Sequence, residues 1–293
     1  MVIEDLKRSN VDAVSVERMI EDFIVSPANS MRNAVDEPAW DHPLIGYSNG
    51  ADPLYDFYKK DIGNFYVKPL GFMKDAYPNL DLKPHQLTVV SWILPQTKAT
   101  KGDQRSEIHW PSERWARTRI FGEEVNDQLR RHVVNALADL GVEAVAPMLS
   151  PLWHQDISEK YGFASTWSER HAAYAAGLGT FGLSDGLITP KGIAHRAGSV
   201  VANVIIPPSV RPYKDHHAYC LFYATRACGA CIKKCPAGAI SETGHDKKKC
   251  SSYLHKTHAY VENHYGFKGY GCGLCQVGVP CESGIPEGPE KLL

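Results

Sequence analysis

The stretch Cys228 to Ile240, CGACIKKCPAGAI, places three thiols at a spacing suited to redox chemistry. Cys228, Cys231 and Cys235, followed by Pro236, fill the last three places of the run C-x2-C-x2-C-x3-C-P, whose thiolates hold [4Fe–4S] clusters. The first place of that run falls on Thr225, which has no thiol to give. All eight cysteines lie between Cys220 and Cys281, and residues 1 to 219 have none. Two [4Fe–4S] clusters bound by thiolates alone would use all eight. The other use of the C-x2-C pairs Cys228/Cys231 and Cys272/Cys275 is a structural zinc site. Zinc would take one set of four thiolates, leave the rest idle and give no account of Cys235-Pro236.

A second pattern, GLGTFG from Gly177 to Gly182, spells G-x-G-x-x-G. A dinucleotide site needs a strand running into those glycines and a helix leaving them, because the helix N-terminus faces the pyrophosphate. Here the order is reversed. SERHAAYAA before the glycines is helical, and DGLITPKG after them is turn and strand material, so Gly177 reads as a helix C-terminal cap.

The elements that must position these groups alternate along the chain. Residues 11 to 25 and 112 to 140 read as helices, the second with Leu129, Val133, Leu137 and Leu140 along one face. LTVVSWIL (87 to 94), VEAVAPML (142 to 149) and SVVANVII (199 to 206) read as buried strands. PPSVRPYKDHH then forms a proline-rich hinge. Two domains are expected, a cysteine-free one over residues 1–208 and a cysteine-rich one over 209–293.

Composition excludes several classes. With 43% hydrophobic and 22% charged residues the chain is of ordinary globular type, and a net charge of -1 argues against bulk electrostatic binding of nucleic acid. No apolar run reaches the about 18 residues of a membrane span. The opening MVIEDLKRSNVDAVSVERMIEDF reads as an amphipathic helix and not a secretory signal, and the twin-arginine export pattern is missing. A cytoplasmic protein is expected, where thiols bind metal more readily than they form disulfides.

Glu169 to Val201, lying upstream of the cysteine run, resembles the segment that joins the cobalamin domain to the iron–sulfur domain in reductive dehalogenases and epoxyqueuosine reductases. The matching elements are a helix ending Ala-Gly-Leu-Gly (176 to 179), Leu-Ile-Thr-Pro (187 to 190), Arg196 and a β-strand. LITP in that place is more like the dehalogenases. The resemblance covers roughly residues 140 to 293. It implies an α+β fold: a nitroreductase-like α/β cobalamin-binding domain followed by a bacterial-ferredoxin-like domain with two [4Fe–4S] clusters.

The same resemblance implies the ligand sets. Cys235, Cys250, Cys272 and Cys275 would hold one cluster, and Cys228, Cys231 and Cys281 three corners of the other, the one expected nearer the corrin. Only Cys220 is left for the fourth corner, through the longer loop LFYATRA. It also implies cobalamin bound base-off with no protein ligand to cobalt. The histidine-on motif D-x-H-x-x-G is missing, its nearest approach, Asp215-x-His217, ending on Cys220. Gly177, Leu178, Gly179, Thr189, Lys191 and Arg196 are the expected cobalamin contacts, and Tyr161 the expected proton donor, with Tyr174 as rival.

The implied activity is reductive cleavage of a small organic substrate, possibly halogenated, with electrons from a donor such as ferredoxin or flavodoxin. The alternatives are an epoxyqueuosine-type tRNA modification enzyme, a non-catalytic iron–sulfur electron-transfer protein, and a flavin or other reductase on a similar scaffold. Modification of tRNA is demoted because the epoxyqueuosine reductases' catalytic aspartate would fall on Phe163, and because the chain ends 12 residues after Cys281, without their helical tail. His154, His171, His195, His216, Trp153 and Trp167 are further candidates, each with packing or solvation as its alternative.

Overall fold

The structure is a computed structural model that describes residues 11–288. The helix expected over residues 11 to 25 forms as α1 (Ala13–Val25), started by Asp12, whose carboxylate accepts from the Ser15 N–H at 2.8 Å. The rest of the amphipathic opening, residues 1 to 10, lies outside the described residues. Strand β1 (Leu44–Asn49), helices α2 (Pro53–Asp61) and α3 (Pro69–Ala76), and strand β2 (Thr88–Pro95) follow. Then come α4 (Lys98–Ser106) and the long α5 (Glu113–Asp139). Strand β3 (Ala144–Val145) leads to the hairpin of β4 (Gln155–Ser158) and β5 (Gly162–Ser165).

Helix α6 (Glu169–Ala175) precedes a small hairpin, β6 (Thr180–Phe181) and β7 (Leu187–Ile188), and then β8 (His195–Ala202). The main sheet has the order β1-β2-β8-β3 with every pairing antiparallel, which makes the domain α+β. All eight residues of β2 are buried, so both of its faces must be covered. Alternation does the sorting. Val90, Trp92 and Leu94 join α1 and the Leu129–Val133–Leu137 face of α5, while Val89 meets Tyr55, Tyr58, Phe72 and Trp167, and Ile93 meets Ala173 of α6 and Ala176 just after it.

Two expected strands are corrected. Of residues 142 to 149 only Ala144–Val145 pairs, because Pro147, which has no N–H for a ladder, begins a short 3-10 turn through Leu149. The strand expected over 199 to 206 starts four residues earlier, at His195, and ends at Ala202. Beyond it Asn203 N bonds Glu143 O at 2.8 Å and Ile206 N bonds the Thr88 hydroxyl at 3.0 Å, which peels the chain away before Pro207.

The cysteine-rich part contains α7 (Leu221–Thr225), α8 (Ala230–Lys234), the hairpin β9 (Ile240–Ser241) and β10 (Gly244–His245), and α9 (Lys247–Tyr265). It is held to the rest by named contacts. Arg105 of α4 grips Glu282 through Nε at 2.9 Å and Nη2 at 2.9 Å. Gln104 donates to Cys272 O at 2.8 Å while its own carbonyl caps Ser112 N at 2.7 Å. Among the described residues no helix is long and apolar enough to cross a membrane.

Two histidines inside the first domain set its acid limit. Burial lowers His171 to about 3 and His195 to about 4, below their unfolded 6.5. The unfolded chain therefore binds protons that the folded one refuses, and stability present above pH 6.5 is lost as pH falls. Between pH 7 and 5 the two should together cost about 4 kcal/mol. Urea midpoints at the two pH values test this; a His171→Gln/His195→Gln variant should show a flatter dependence.

Candidate iron–sulfur and redox site

Cys220, Cys228, Cys231 and Cys281 line one largely apolar cavity together with Gly182, Leu183, Ile188 and Phe222. Cys220 ends a turn whose N–H bonds His217 O at 2.9 Å, and it begins α7. That short helix sets Cys220 beside Cys228 and Cys231 across the extra residues. Thr225 sits at the far end of α7, exposed, its hydroxyl donating to Leu221 O at 2.7 Å. Cys281 is positioned by its carbonyl, which accepts from Ile193 N at 2.8 Å. The approach there is so close that a Cβ on Gly192, at φ +87, would stand 2.1 Å from Glu282 O.

The other four thiols form a second neighbourhood. Cys272 is influenced by Cys250 and Cys235, and Cys275 by Cys272, Cys235 and Cys250. Cys250 stands in the first turn of α9, and Cys235 follows α8 with its sulfur accepting from Ala239 N at 3.3 Å. Gly273, between Cys272 and Cys275, lies flat under the Trp115 ring.

The electrostatics suit a cationic centre in each set. Burial, then the neighbouring thiols Cys220 and Cys228, pushes Cys231 up to about 11. Burial, then Cys220 and Cys231, pushes Cys281 up to about 12. Burial raises Cys272 to about 11 and drives Cys275 well up. Thiols this reluctant to ionise become ligands only when a metal centre supplies positive charge. Among the described residues no three His, Cys, Asp or Glu side chains converge on a point for a single metal ion. The two sets of four thiols are the donor chemistry that [4Fe–4S] clusters require.

Next to the Cys250 set is a polar corner. Tyr161, in the turn between β4 and β5, donates from Oη to Asp61 Oδ2 at 2.6 Å, and Lys160 bonds Asp61 Oδ1 at 2.6 Å. Lys247, at the start of α9, bonds Phe163 O at 2.9 Å and lies 5.9 Å from the Tyr161 ring. Arg170 at the start of α6 donates to Asp185 O, and Asp185 Oδ2 meets His245 Nδ1 at 3.1 Å. Burial and then the Asp61 hydrogen bond raise the Tyr161 pKa, outweighing Lys160.

The residues expected against cobalamin are distributed differently. Leu178 is core, packed with Ile93, Ala176 and Leu187. A Cβ on Gly177, at φ +78, would meet Val210 O at 2.6 Å, and one on Gly179 would meet Ile188 O at 2.2 Å, so their close approaches are to protein. Gly177 does follow the end of α6, as a helix cap should, and Gly182 with Leu183 lines the Cys220 cavity. Thr189 closes its own turn by donating to Gly192 O at 2.9 Å, and Lys191 reaches His42 O at 2.9 Å. Arg196 pairs with Glu123 at 2.9 Å and keeps partial solvent access.

The remaining candidates pack in the core, bond within the fold or face solvent. Trp167 is fully buried, stacked on Tyr55 at 5.8 Å, and Trp153 packs beside it. His171 bonds the Ser168 hydroxyl at 2.8 Å and His195 the Leu187 carbonyl at 2.7 Å. His154 and His216 are exposed. Tyr174 tilts against Tyr213 at 5.1 Å, and its carbonyl accepts from the Tyr213 hydroxyl. Sequence reasoning missed Asp61, Arg119, Arg170 and Lys247, since single charged residues on separate elements carry no spacing signal.

Comparison with known proteins bears on the fold and the thiols. Residues 225–280 match the family model "4Fe-4S double cluster binding domain". That match stops short of Cys220 and Cys281, the two ligand candidates with unusual spacing. No curated protein matches. The catabolic reductive dehalogenase NpRdhA shares 14% identity over 95% of this chain and 38% of its own, with a TM-score of 0.50. A selenomethionine-labelled epoxyqueuosine reductase shares 18% identity over 94% of this chain and 71% of its own, with a TM-score of 0.47. The chain thus spans well under half of the dehalogenase. In fold, this chain is like the reductive dehalogenases, with an iron–sulfur domain of the double-cluster kind at its C-terminal end.

Proposed function

We propose that this chain is a cobalamin-dependent reductase. Its eight cysteines hold two [4Fe–4S] clusters as the electron relay to a corrin, and the reaction is reductive cleavage of a small organic substrate. The observation that carries this reading is the gathering of eight thiols into two sets of four; the set abutting the Tyr161 corner is that of Cys235, Cys250, Cys272 and Cys275, the reverse of the order that the resemblance implies. The corner's cations and aromatic faces suit an amide-rich macrocycle with a phosphate. One ring nitrogen each of His171, His195, His217 and His245 is hydrogen-bonded within the fold, and His195 Nδ1 is buried without a partner.

Cobalamin, when bound, supplies a metal that accepts electrons one at a time and is a strong nucleophile once fully reduced. The balance of the reaction is two electrons and one proton in, the carbon to leaving-group bond broken, and a carbon–hydrogen bond formed. Tyr161 Oη holds that proton. With its pKa raised, the phenol stays protonated through neutral pH and gives the proton up only to a strongly basic carbon. Asp61 and Lys160 fix its direction. Electrons come from a donor protein such as ferredoxin or flavodoxin, and the setting is the cytoplasm.

Tyr161→Phe keeps the ring and removes only the proton. Iron and corrin content should stay, while turnover of a substrate falls by about two to four orders of magnitude; unchanged turnover would remove Tyr161 from the mechanism. The cofactor reading is tested by incubating the anaerobically reconstituted protein with hydroxocobalamin and desalting it. Co-elution of the corrin band is expected. A brown, corrin-free protein would favour a pure electron-transfer role.

A further inference from the structure

Arg119 of α5, Arg170 of α6, Arg196 of β8 and Lys247 of α9 come from four elements, each keeps some solvent access, and their charges act on one another in the order Arg119, Arg196, Arg170, Lys247. Carboxylates are scarce there. Glu123 is shared between Arg196, at 2.9 Å, and the buried Arg130, at 3.1 Å, and Arg130 also takes Asp127 and Glu169. Asp185 is paired with His245. Arg119 reaches only the Tyr270 hydroxyl and ring, the ring centroid lying 4.5 Å away; Arg170 reaches a main-chain carbonyl, and so does Lys247. Among the described residues no carboxylate forms an ion pair with Arg119, Arg170 or Lys247.

These cations feel one another. Burial is the largest cause of lowering at Arg119, which falls to about 10, at Arg170 and at Lys247. Arg196 adds to it at Arg119 and Arg170 and Arg170 adds to it at Lys247, while Glu123 opposes it at Arg119 and Asp185 at Arg170 and Lys247. The Arg196 Nε is also a buried donor without a hydrogen bond of good geometry, although Glu123 lies close. Like charges gathered under partial burial, with donors to spare, are stabilised when an anion joins them. A guanidinium presents a planar fork that matches two oxygens of a carboxylate or phosphate.

We propose that Arg119, Arg170 and Arg196 form an oxyanion site that selects for a carboxylate or phosphate group, with Lys247 between Arg170 and Tyr161. The inference rests on the reductase reading for its place in catalysis, and the oxyanion has two sources. A carboxylate of the substrate anchored at the Arg170 end would face Lys247, which lies 5.9 Å from the Tyr161 ring. The phosphate of the corrin's nucleotide tail would use the same forks.

The test uses the full chain with its iron loaded. Equilibrium dialysis measures benzoate and inorganic phosphate, and corrin retention is compared between cobalamin and cobinamide, which lacks the nucleotide phosphate. Arg119→Gln and Arg170→Gln are made separately, with iron content as the folding control. Benzoate binding that weakens about tenfold or more in the variants, with the cobalamin preference unchanged, assigns the site to substrate. Loss of that preference with benzoate unchanged assigns it to the cofactor. Wild-type protein that binds neither anion and does not distinguish the corrins overturns the proposal, as do affinities unmoved in both variants. Benzoate loss in a chain that never takes up corrin would sink the reductase reading and leave the oxyanion site standing.

Discussion

Replacing Cys220 by alanine should lower bound iron from about eight to about four atoms per chain, with one cluster lost and the other kept. Cys220 lines the same cavity as Cys228, Cys231 and Cys281, and the five residues of α7, Leu221–Thr225, separate it from the rest of the run. The Cys235, Cys250, Cys272 and Cys275 neighbourhood draws nothing from Cys220, so it should retain its iron. Anaerobic iron and sulfide analysis reads the result. Full iron in the variant would move the fourth corner elsewhere, and a Cys220→Ala/Thr225→Ala double variant would then show whether Thr225 or water fills it.

The second large effect is expected at Gly273. Its φ is +64, and an added Cβ would stand 1.9 Å from Cζ2 of Trp115, inside the loop that presents Cys272 and Cys275. Positive φ on a residue with a side chain costs about 1–3 kcal/mol, and forcing a methyl group into a filled space costs about 1–3 kcal/mol more. Gly273→Ala should therefore destabilise the chain by roughly 3 kcal/mol or more and reduce iron at the second set while sparing Cys220, Cys228, Cys231 and Cys281. Thermal unfolding of the iron-loaded protein measures the loss. Adding Trp115→Leu should recover the part due to the ring and leave the part due to φ. No change in either measurement would mean that the Trp115 contact does not hold the loop.

Much of this arrangement was legible in the sequence, for reasons visible in particular residues. Leu129, Val133 and Leu137 repeat at helical steps because one side of α5 meets the sheet, and the eight-residue apolar run of β2 reflects burial on both faces. The cysteine spacings were legible because each set takes two of its thiols from a local C-x2-C pair, Cys228/Cys231 and Cys272/Cys275. Illegible were the features made by distant segments. Pro147 ended a strand that its apolar neighbours suggested, and Thr88 drew off the end of β8. The glycines of GLGTFG answer to Val210 and Ile188, contacts set by the tertiary fold. Asp61 lies 100 residues from Tyr161 in the chain, and no local pattern announces that it holds the phenol proton.

The most direct test of the central claim is a count of iron and cobalt on the same sample, reconstituted anaerobically with iron, sulfide and cobalamin and then freed of unbound cofactor. About eight irons and about one cobalt per chain are expected, with cobalt absent when a cobalamin-free control is carried through. Eight irons without cobalt would contradict the account, leaving an iron–sulfur protein that carries electrons and no corrin.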